Sequence, residues 1–335
     1  GLTRGTNRAH VVRATLEGGK YSMLVSSGLA AVTMVDIALL KSGDQVLLPH
    51  NVYGPNKAFT RNELAAWGIG HAVYDAMDAA SLATAITPAT KLVWLEAPGS
   101  VTLEFPDLRA LIRVVRERAP QAVIALDNTW GAGIAFDAFA IGVDVTIHAL
   151  TKYPSGGGDV LMGAVTCRDE ALYRTLALSR SRVGHGVGIN DVEFVLRALP
   201  SMALRYAAQD AAGRAFAAWC QSRQEFARVL HPALPGSPGH EHWASHCSAA
   251  AGLVTVEVDP RFGSAQSDVF VDALKLFRIG YSWAGPISLV VPYDPKTIRD
   301  SSSPYQGTLI RFCIGLEDVD DLIADAEQAL AVLAA

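Results

Sequence analysis

Short apolar runs alternate with helix-period segments along most of the chain. SSGLAAVTMVDIALLKSGD predicts a helix opened by Ser26 or Ser27 and stopped near Gly43, since hydroxyl side chains cap helix starts and glycine ends helices. QVLLPH follows as a buried strand, NKAFTRNELAAWG as a second helix and HAVYD as a strand. SLATAIT, KLVWLEAP, PDLRALIRVVRERAP and AVIALDN then read as helix, strand, helix and strand, and VDVTIHAL and LMGAVTC add two more strands. These strands are apolar throughout, the pattern of a mostly parallel sheet covered on both faces. In such sheets ligands gather at the carboxyl ends of the strands. Glu96, Asp127 and Lys152 are all expected at or just past such ends, on one rim.

From Gly188 to about Val229 the pattern is helical and rich in Ala and Arg, broken near Pro200, and reads as a connection between domains. HPALPGSPGHEHW reads as a Pro/Gly loop. GLVTVEV (strand), QSDVFVDALKLFR (helix), ISLVVP (strand), TLIRFCIG (strand) and a terminal helix from about Asp318 describe a smaller α/β domain.

Composition narrows the classes. A chain of 335 residues, half of them hydrophobic, supplies a large core and suits two domains. Its net charge of −5, without a long run of Lys or Arg, argues against a nucleic-acid partner. Apolar stretches are interrupted well short of a membrane span. The opening GLTRGTNRAH has no apolar signal core, so a cytoplasmic location is expected. Cys167, Cys220, Cys247 and Cys313 form no CxxC pair, which favours reduced thiols over a disulfide framework or a zinc ribbon. Cys313 reads as a packed strand residue.

Three polar features compete as sites. His240, His242 and His246 lie close together, but in a proline-rich stretch without an evident rigid support, so no metal site is expected. Gly156-Gly157-Gly158 could cradle a phosphate, yet it matches neither a P-loop nor a dinucleotide fingerprint. The third is Asp127 with Lys152, one crossover later. A buried aspartate needs a cationic partner to stay ionised at low cost, so the two could form a structural ion pair. Alternatively both face a pyridoxal phosphate (PLP) ring, Asp127 keeping the pyridine nitrogen protonated and Lys152 holding the aldehyde covalently.

DNTW, VDVTIHALTKY and GGGDVLMG, together with LEGG, SSGLAA, LPHNVYGP, LEAPGS, HPALPGSPGHEHW, GYSW and RFCIGLED, resemble the signature of the PLP-dependent Cys/Met-metabolism family. The resemblance runs from Leu16 to Asp318, and EAPGS and GYSW are most similar to the bacterial cystathionine β-lyase branch. It implies an aspartate-aminotransferase-like, fold-type-I α/β architecture: a mostly parallel seven-stranded sheet sandwiched by helices, with a smaller C-terminal α/β domain. The implied boundaries are a remnant of an N-terminal arm over residues 1–19, a PLP-binding large domain over 20–205, and a small domain with its connecting helix over 206–335. Gly28, Leu29 and Thr151 would bind the cofactor phosphate, helped by the free N–H groups at a helix start. Tyr53 would stack on the ring and assist proton transfer, Asp127 would face the ring nitrogen, and Lys152 would be the covalent anchor and catalytic base. Arg311 would take the substrate carboxylate. Ser282, Trp283 and Ser100 would line the substrate site, although Trp283 could equally be core.

The implied activity is carbon–sulfur lysis, with β-elimination of cystathionine to homocysteine, pyruvate and ammonia. A small amino-acid substrate and a homo-oligomer, a dimer of dimers with a site shared between subunits, go with it. A γ-eliminating or γ-replacing relative, or an enzyme recruited to another amino acid, is the alternative. A cofactor-binding protein without turnover and a nicotinamide-dependent dehydrogenase fit less well; the dehydrogenase lacks its glycine fingerprint. Four positions depart from the family pattern. Gly156-Gly157-Gly158-Asp159 stands where Gly-His-Ser-Asp is usual, and Ala149 where a phosphate-binding serine is common. Ala284-Gly285-Pro286-Ile287-Ser288 replaces Gly-Gly-x-Glu-Ser, close to the substrate site. A phosphate-reaching Tyr-x-Arg pair would fall before Gly1, and Arg4 is a poor substitute.

Overall fold

The computed structural model describes residues 16–299 and 303–333. Arg4 and most of the expected N-terminal arm lie outside the described residues. The first sheet contains β1 (Tyr21–Val25), β2 (Gln45–Pro49), β3 (Gly70–Tyr74), β4 (Thr90–Glu96), β5 (Val123–Asp127), β6 (Val145–Ala149) and β7 (Gly163–Cys167). Its order is β1-β7-β6-β5-β4-β2-β3. Only β7 runs against its neighbours, pairing antiparallel with β1 and β6. This is the mostly parallel seven-stranded sheet expected.

Successive strand residues point to opposite faces, so an all-apolar strand feeds two cores. Val46, Leu48, Trp94, Ala125 and Ile147 pack on one side with Ala31 and Val35 of α1 (Gly28–Leu39). Leu47, Val93, Leu95, Ile124 and Leu126 pack on the other side; α2 (Gly54–Phe59) and α3 (Ala79–Ala85) lie between them in sequence, and α4 (Leu108–Arg118) contributes Leu111 and Val115. Helix α2 runs on into a π-helical turn over Thr60–Leu64. The sequence NKAFTRNELAAWG is therefore helical as predicted, with a change of pitch inside it.

After β7 come α5 (Glu170–Val183), α6 (Ile189–Ala198) and α7 (Met202–Gln221), with a 3-10 turn over Leu199–Ser201 at the break expected near Pro200. The second sheet is built from β8 (Phe226–Leu230), β9 (Leu253–Val258), β10 (Arg278–Ile279), β11 (Leu289–Tyr293) and β12 (Leu309–Cys313), in the order β10-β11-β12-β9-β8. The helices α8 (His240–His246), α9 (Ser264–Asp272), α10 (Pro295–Ile298) and α11 (Val319–Leu330) complete the order. Val254, Val256, Ile310 and Phe312 pack against Phe216 of α7 and Leu322 and Ala326 of α11.

The structure corrects the sequence reading at three places. Residues 226–230 form a strand, so the helical stretch ends at Gln221. Residues 240–246 form a short helix rather than loop, entered through Gly239 at φ 80°. β1 forms over YSMLV, a run for which the sequence pattern predicts no element.

Candidate active site

Paired registers place the strand ends on one rim. Glu96 sits opposite Asp127 across β4 and β5, and Ala149 opposite Gly163 across β6 and β7. Asp127 Oδ1 accepts hydrogen bonds from the Thr129 backbone N–H at 3.0 Å and the Thr129 hydroxyl at 2.6 Å. Thr129 Oγ1 in turn accepts from the Ala149 N–H at 3.0 Å, tying the end of β5 to the end of β6. Among the described residues no hydrogen bond reaches Asp127 Oδ2, which leaves one carboxylate oxygen for a ligand. Burial pushes this carboxyl upward, while Thr129 and then Lys152 pull it down.

Lys152 follows β6 by three residues. Its Nζ donates to Ser282 Oγ at 2.8 Å and lies 5.2 Å from the centroid of the Trp283 ring. Burial, and next the positive charge of Arg311, lower this ammonium to about 8, with Cys313 and Asp127 acting in the opposite sense. The amine is thereby brought within reach of neutrality at physiological pH. Tyr153, the next residue, is buried, and its hydroxyl accepts from the Gly252 N–H at 3.0 Å. Its ring meets Tyr206 at 4.5 Å and Trp283 at 5.9 Å. The lysine is therefore anchored where the two sheet systems meet.

Arg311 sits on β12, buried although charged. One terminal nitrogen donates to the Tyr281 carbonyl at 2.7 Å, its guanidinium lies 5.6 Å from the Tyr293 ring, and its buried Nε has no partner. An unsatisfied buried donor is costly, so this residue is set up to receive an anion. Cys313, two residues on, is buried; burial raises its thiol while Arg311 and Lys152 oppose that shift.

Tyr53 is the N-cap residue of α2 and, at 40% exposure, remains partly accessible. Its backbone N–H donates to Glu96 Oε2 at 2.7 Å. Burial, then the charges of Asp127 and Glu96, raise the phenol, and Arg311 lowers it. The ring thus stands among the rim carboxyls and the guanidinium. Glu96 is itself buried, and burial followed by repulsion from Asp127 holds its carboxyl well above the usual range. Of two adjacent carboxyls, one is kept neutral.

Gly28 starts α1, capped by Ser27 Oγ accepting from the Ala30 N–H at 2.9 Å. A Cβ on Gly28 would lie 2.6 Å from the Ala149 side chain, so glycine lets the helix start press against the end of β6. The Gly28 and Leu29 N–H groups precede the first intrahelical bonds and face no capping demand. Thr151 is half-buried, and its hydroxyl accepts from the Met162 N–H at 3.4 Å. The Ser100 N–H donates to the Asn51 carbonyl at 2.8 Å, which places it near the Tyr53 segment. Trp283 packs partly against the core as well as flanking the lysine.

The competing features have other roles. The space at Gly156 is filled by the Arg205 guanidinium, which donates to the Tyr153 carbonyl at 2.7 Å. His240 Nδ1 lies 2.9 Å from the Pro232 carbonyl, and His242 sits beside Asp107 and Glu241. Among the described residues no three His, Cys, Asp or Glu side chains gather as a metal would require. Thr129 was passed over in the sequence. A hydroxyl two residues after a strand-closing aspartate is a recognisable turn partner and could have marked it.

A depressed amine, a carboxylate with one oxygen unbonded, a partly accessible tyrosine, a bare helix start and an unsatisfied guanidinium together fit PLP and an amino-acid substrate. The fold and rim define a PLP-dependent enzyme of the aspartate-aminotransferase-like class. Residues 6–331 match the family described as Cys/Met metabolism PLP-dependent enzyme, and the chain belongs to that family. It is 35% identical to cystathionine beta-lyase MetC of Escherichia coli (strain K12) over 320 residues, covering 94% of this chain and 81% of that protein. It is 37% identical to the cystathionine beta-lyase of Bordetella avium over 321 residues, 95% of this chain and 80% of that one. The crystal structure of metB from Corynebacterium glutamicum superposes with a TM-score of 0.91 at 29% identity, covering 98% of this chain and 85% of that chain.

Proposed function

We propose that this enzyme cleaves the carbon–sulfur bond of cystathionine, or of a related cysteine S-conjugate, by β-elimination, consuming one water and releasing homocysteine or the corresponding thiol, pyruvate and ammonia. The observation that carries the reading is the Lys152 amine, lowered to about 8 and held against Ser282 between Asp127 and Arg311.

PLP, when bound, supplies an electrophilic carbonyl and a sink for the electron pair left at the substrate Cα. In the proposed scheme Gly28 and Leu29 present backbone N–H groups, and Thr151 a hydroxyl, to the phosphate. Asp127 keeps a proton on the ring nitrogen through its unbonded oxygen. Tyr53 covers the ring. Arg311 takes the substrate α-carboxylate in a bidentate grip, which fixes the Cα–H bond relative to Lys152. Lys152 Nζ removes the Cα proton, a step that needs the neutral amine. Ser282 holds that amine by accepting its N–H, Trp283 shields it from water, and Ser100 lines the approach.

Incubation with cystathionine followed by product analysis tests the proposal: pyruvate with homocysteine is expected. Formation of only 2-oxobutyrate with cysteine would instead place the enzyme among the γ-eliminating relatives. The Ala284–Ser288 stretch, which departs from the family pattern close to the substrate site, bears on which substrate is taken. There Ser288 is turned inward, its hydroxyl donating to Glu317 at 2.7 Å.

We further propose the division into residues 1–19, 20–205 and 206–335, with α7 as the continuous bridge. Large exposed apolar side chains on α5 to α7, Leu178, Val183, Phe194 and Leu204, suit burial against a second copy. A dimer of dimers with sites shared between subunits is the proposed assembly, tested by light scattering. Among the described residues no helix is long and apolar enough to cross a membrane. Together with the bacterial relatives this supports a cytoplasmic location, and the proposed partners are small amino acids, without nucleic acid or membrane.

A further inference from the structure

Outside the rim, the most elaborate polar cluster is centred on Glu104, buried in the loop that follows β4. Glu104 Oε1 accepts from the Tyr305 hydroxyl at 3.0 Å and pairs with the Arg299 guanidinium. Oε2 accepts from Asn51 Nδ2 at 3.1 Å and from the Thr102 hydroxyl at 3.3 Å, with His50 Nε2 at 3.7 Å. His50 Nδ1 already accepts from the Ala76 N–H at 3.0 Å, so its other nitrogen carries the hydrogen that faces Glu104. Burial alone would raise the Glu104 carboxyl, but His50 and Arg299 outweigh it and hold it at about 2.

The partners come from three places that matter for the reaction. His50 and Asn51 lie just before Tyr53. The Glu104 loop includes Ser100, whose N–H is bonded to the Asn51 carbonyl. Arg299 and Tyr305 belong to the connection from β11 to β12, the strand that carries Arg311. A second tie runs parallel: the Thr255 hydroxyl donates to the Val101 carbonyl at 2.6 Å, and Thr255 is the cross-strand partner of Arg311. Between these ties Val101 and Leu103 adopt φ of 66° and 53°. That left-handed conformation is costly for a β-branched valine and persists only where surrounding contacts impose it.

We infer that Glu104 is a positioning residue: it fastens the loops bearing Tyr53 and Ser100 to the β11–β12 connection and so sets Tyr53 and Arg311 in register across the substrate. Its hydrogen bonds and ion pairs go to protein groups, which is what sets it apart from a catalytic residue. A displacement of about 1 Å between such groups can cost on the order of a hundredfold in rate. Beyond any loss of stability from breaking a buried ion pair, the change should therefore be felt in kcat/KM.

The test compares Glu104→Gln and Tyr305→Phe with the wild-type holoenzyme. It uses KM and kcat for cystathionine, cofactor content by absorbance, and the pH at which Lys152 is half-modified by an amine reagent in the cofactor-free protein. Glu104→Gln is expected to lower kcat/KM about tenfold or more, mainly through KM, at wild-type cofactor content. The Lys152 half-point should move upward as Arg311 loses its fixed place. Tyr305→Phe should move both in the same direction by less. Unchanged kinetic constants and an unchanged Lys152 half-point, with only a lower melting temperature, would overturn the inference. If Glu104→Gln does not fold, Tyr305→Phe decides by the same two readouts. The inference rests on the proposed reaction for its kinetic arm alone. A wild-type enzyme inert toward cystathionine would refute that reaction and leave the Lys152 half-point as the deciding readout.

Discussion

The Lys152 amine gives the sharpest prediction, because its environment changes its protonation by a known factor. An ordinary lysine titrates at 10.5, and burial with the nearby Arg311 brings this one to about 8. At pH 7 the neutral fraction then rises about 300-fold, from roughly 0.03% to roughly 10%. The cofactor-free protein is pulse-labelled with an amine-directed reagent from pH 6 to 11, and each lysine is followed by peptide mapping. Lys152 should reach half-maximal labelling near pH 8, well below the ordinary lysine value of 10.5. Replacing Arg311 with Met removes the second cause of the depression, so the half-point should rise. Asp127→Asn removes a charge that favours the ammonium, so the half-point should fall. A wild-type half-point at or above pH 10 would refute the argument that burial and Arg311 ready this amine for proton abstraction.

Three further predictions concern neighbouring groups. Burial raises Asp36, bonded to Trp94 Nε1 at 2.8 Å, from 3.8 to about 8. Its stabilising contribution is complete below about pH 3.8 and is lost as pH climbs through about 8. Asp36→Asn should therefore gain stability relative to wild type as pH rises, on the order of 4 kcal/mol at most by pH 7; parallel pH profiles in denaturant melts would contradict this. Glu96→Gln copies a neutral acid and keeps an acceptor for the Tyr53 N–H, so cofactor content and kcat/KM should stay within about threefold of wild type. Glu96→Ala strands that N–H at a cost of about 1–3 kcal/mol, and equal behaviour of the two variants would contradict the assignment. Gly28→Val should expel the start of α1 from the end of β6, because even a Cβ there lies 2.6 Å from Ala149. The expected result is loss of PLP retention on dialysis with the second sheet's proteolytic resistance intact; retention at wild-type level would count against the phosphate assignment.

Much of the fold was legible because buried parallel strands are apolar on both faces and stand out between amphipathic helices. The six strands from Gln45 to Cys167 were found this way. Local pattern failed where one spacing serves two structures. In FARVL, Phe226, Val229 and Leu230 have helical spacing, yet the segment is a strand because it pairs with β9. The His240–His246 helix was hidden by the Pro/Gly-rich text before it, since Gly239 both ends the turns and opens the helix. In the sequence pattern YSMLV has no preceding helix to set it off, and its partner β7 lies more than 130 residues away in sequence.

The site divides in the same way. Asp127 and Lys152 announced themselves as charged groups closing apolar runs. Their meeting with Ser282, Trp283 and Arg311 depends on contacts between sheets separated by more than a hundred residues, which spacing cannot encode; the family resemblance supplied those positions. Glu104 illustrates the remainder. Its partners Arg299 and Tyr305 lie 195 and 201 residues away, and nothing local distinguishes TLEF from an ordinary strand-to-helix connection.

The most direct test of the proposed covalent attachment at Lys152 is borohydride reduction of the holoenzyme followed by digestion and mass mapping. The expected result is a single reduced pyridoxyl adduct on the peptide containing Lys152, lost in Asp127→Ala protein washed free of cofactor. An adduct on another lysine, or none in protein that carries stoichiometric PLP, would contradict it.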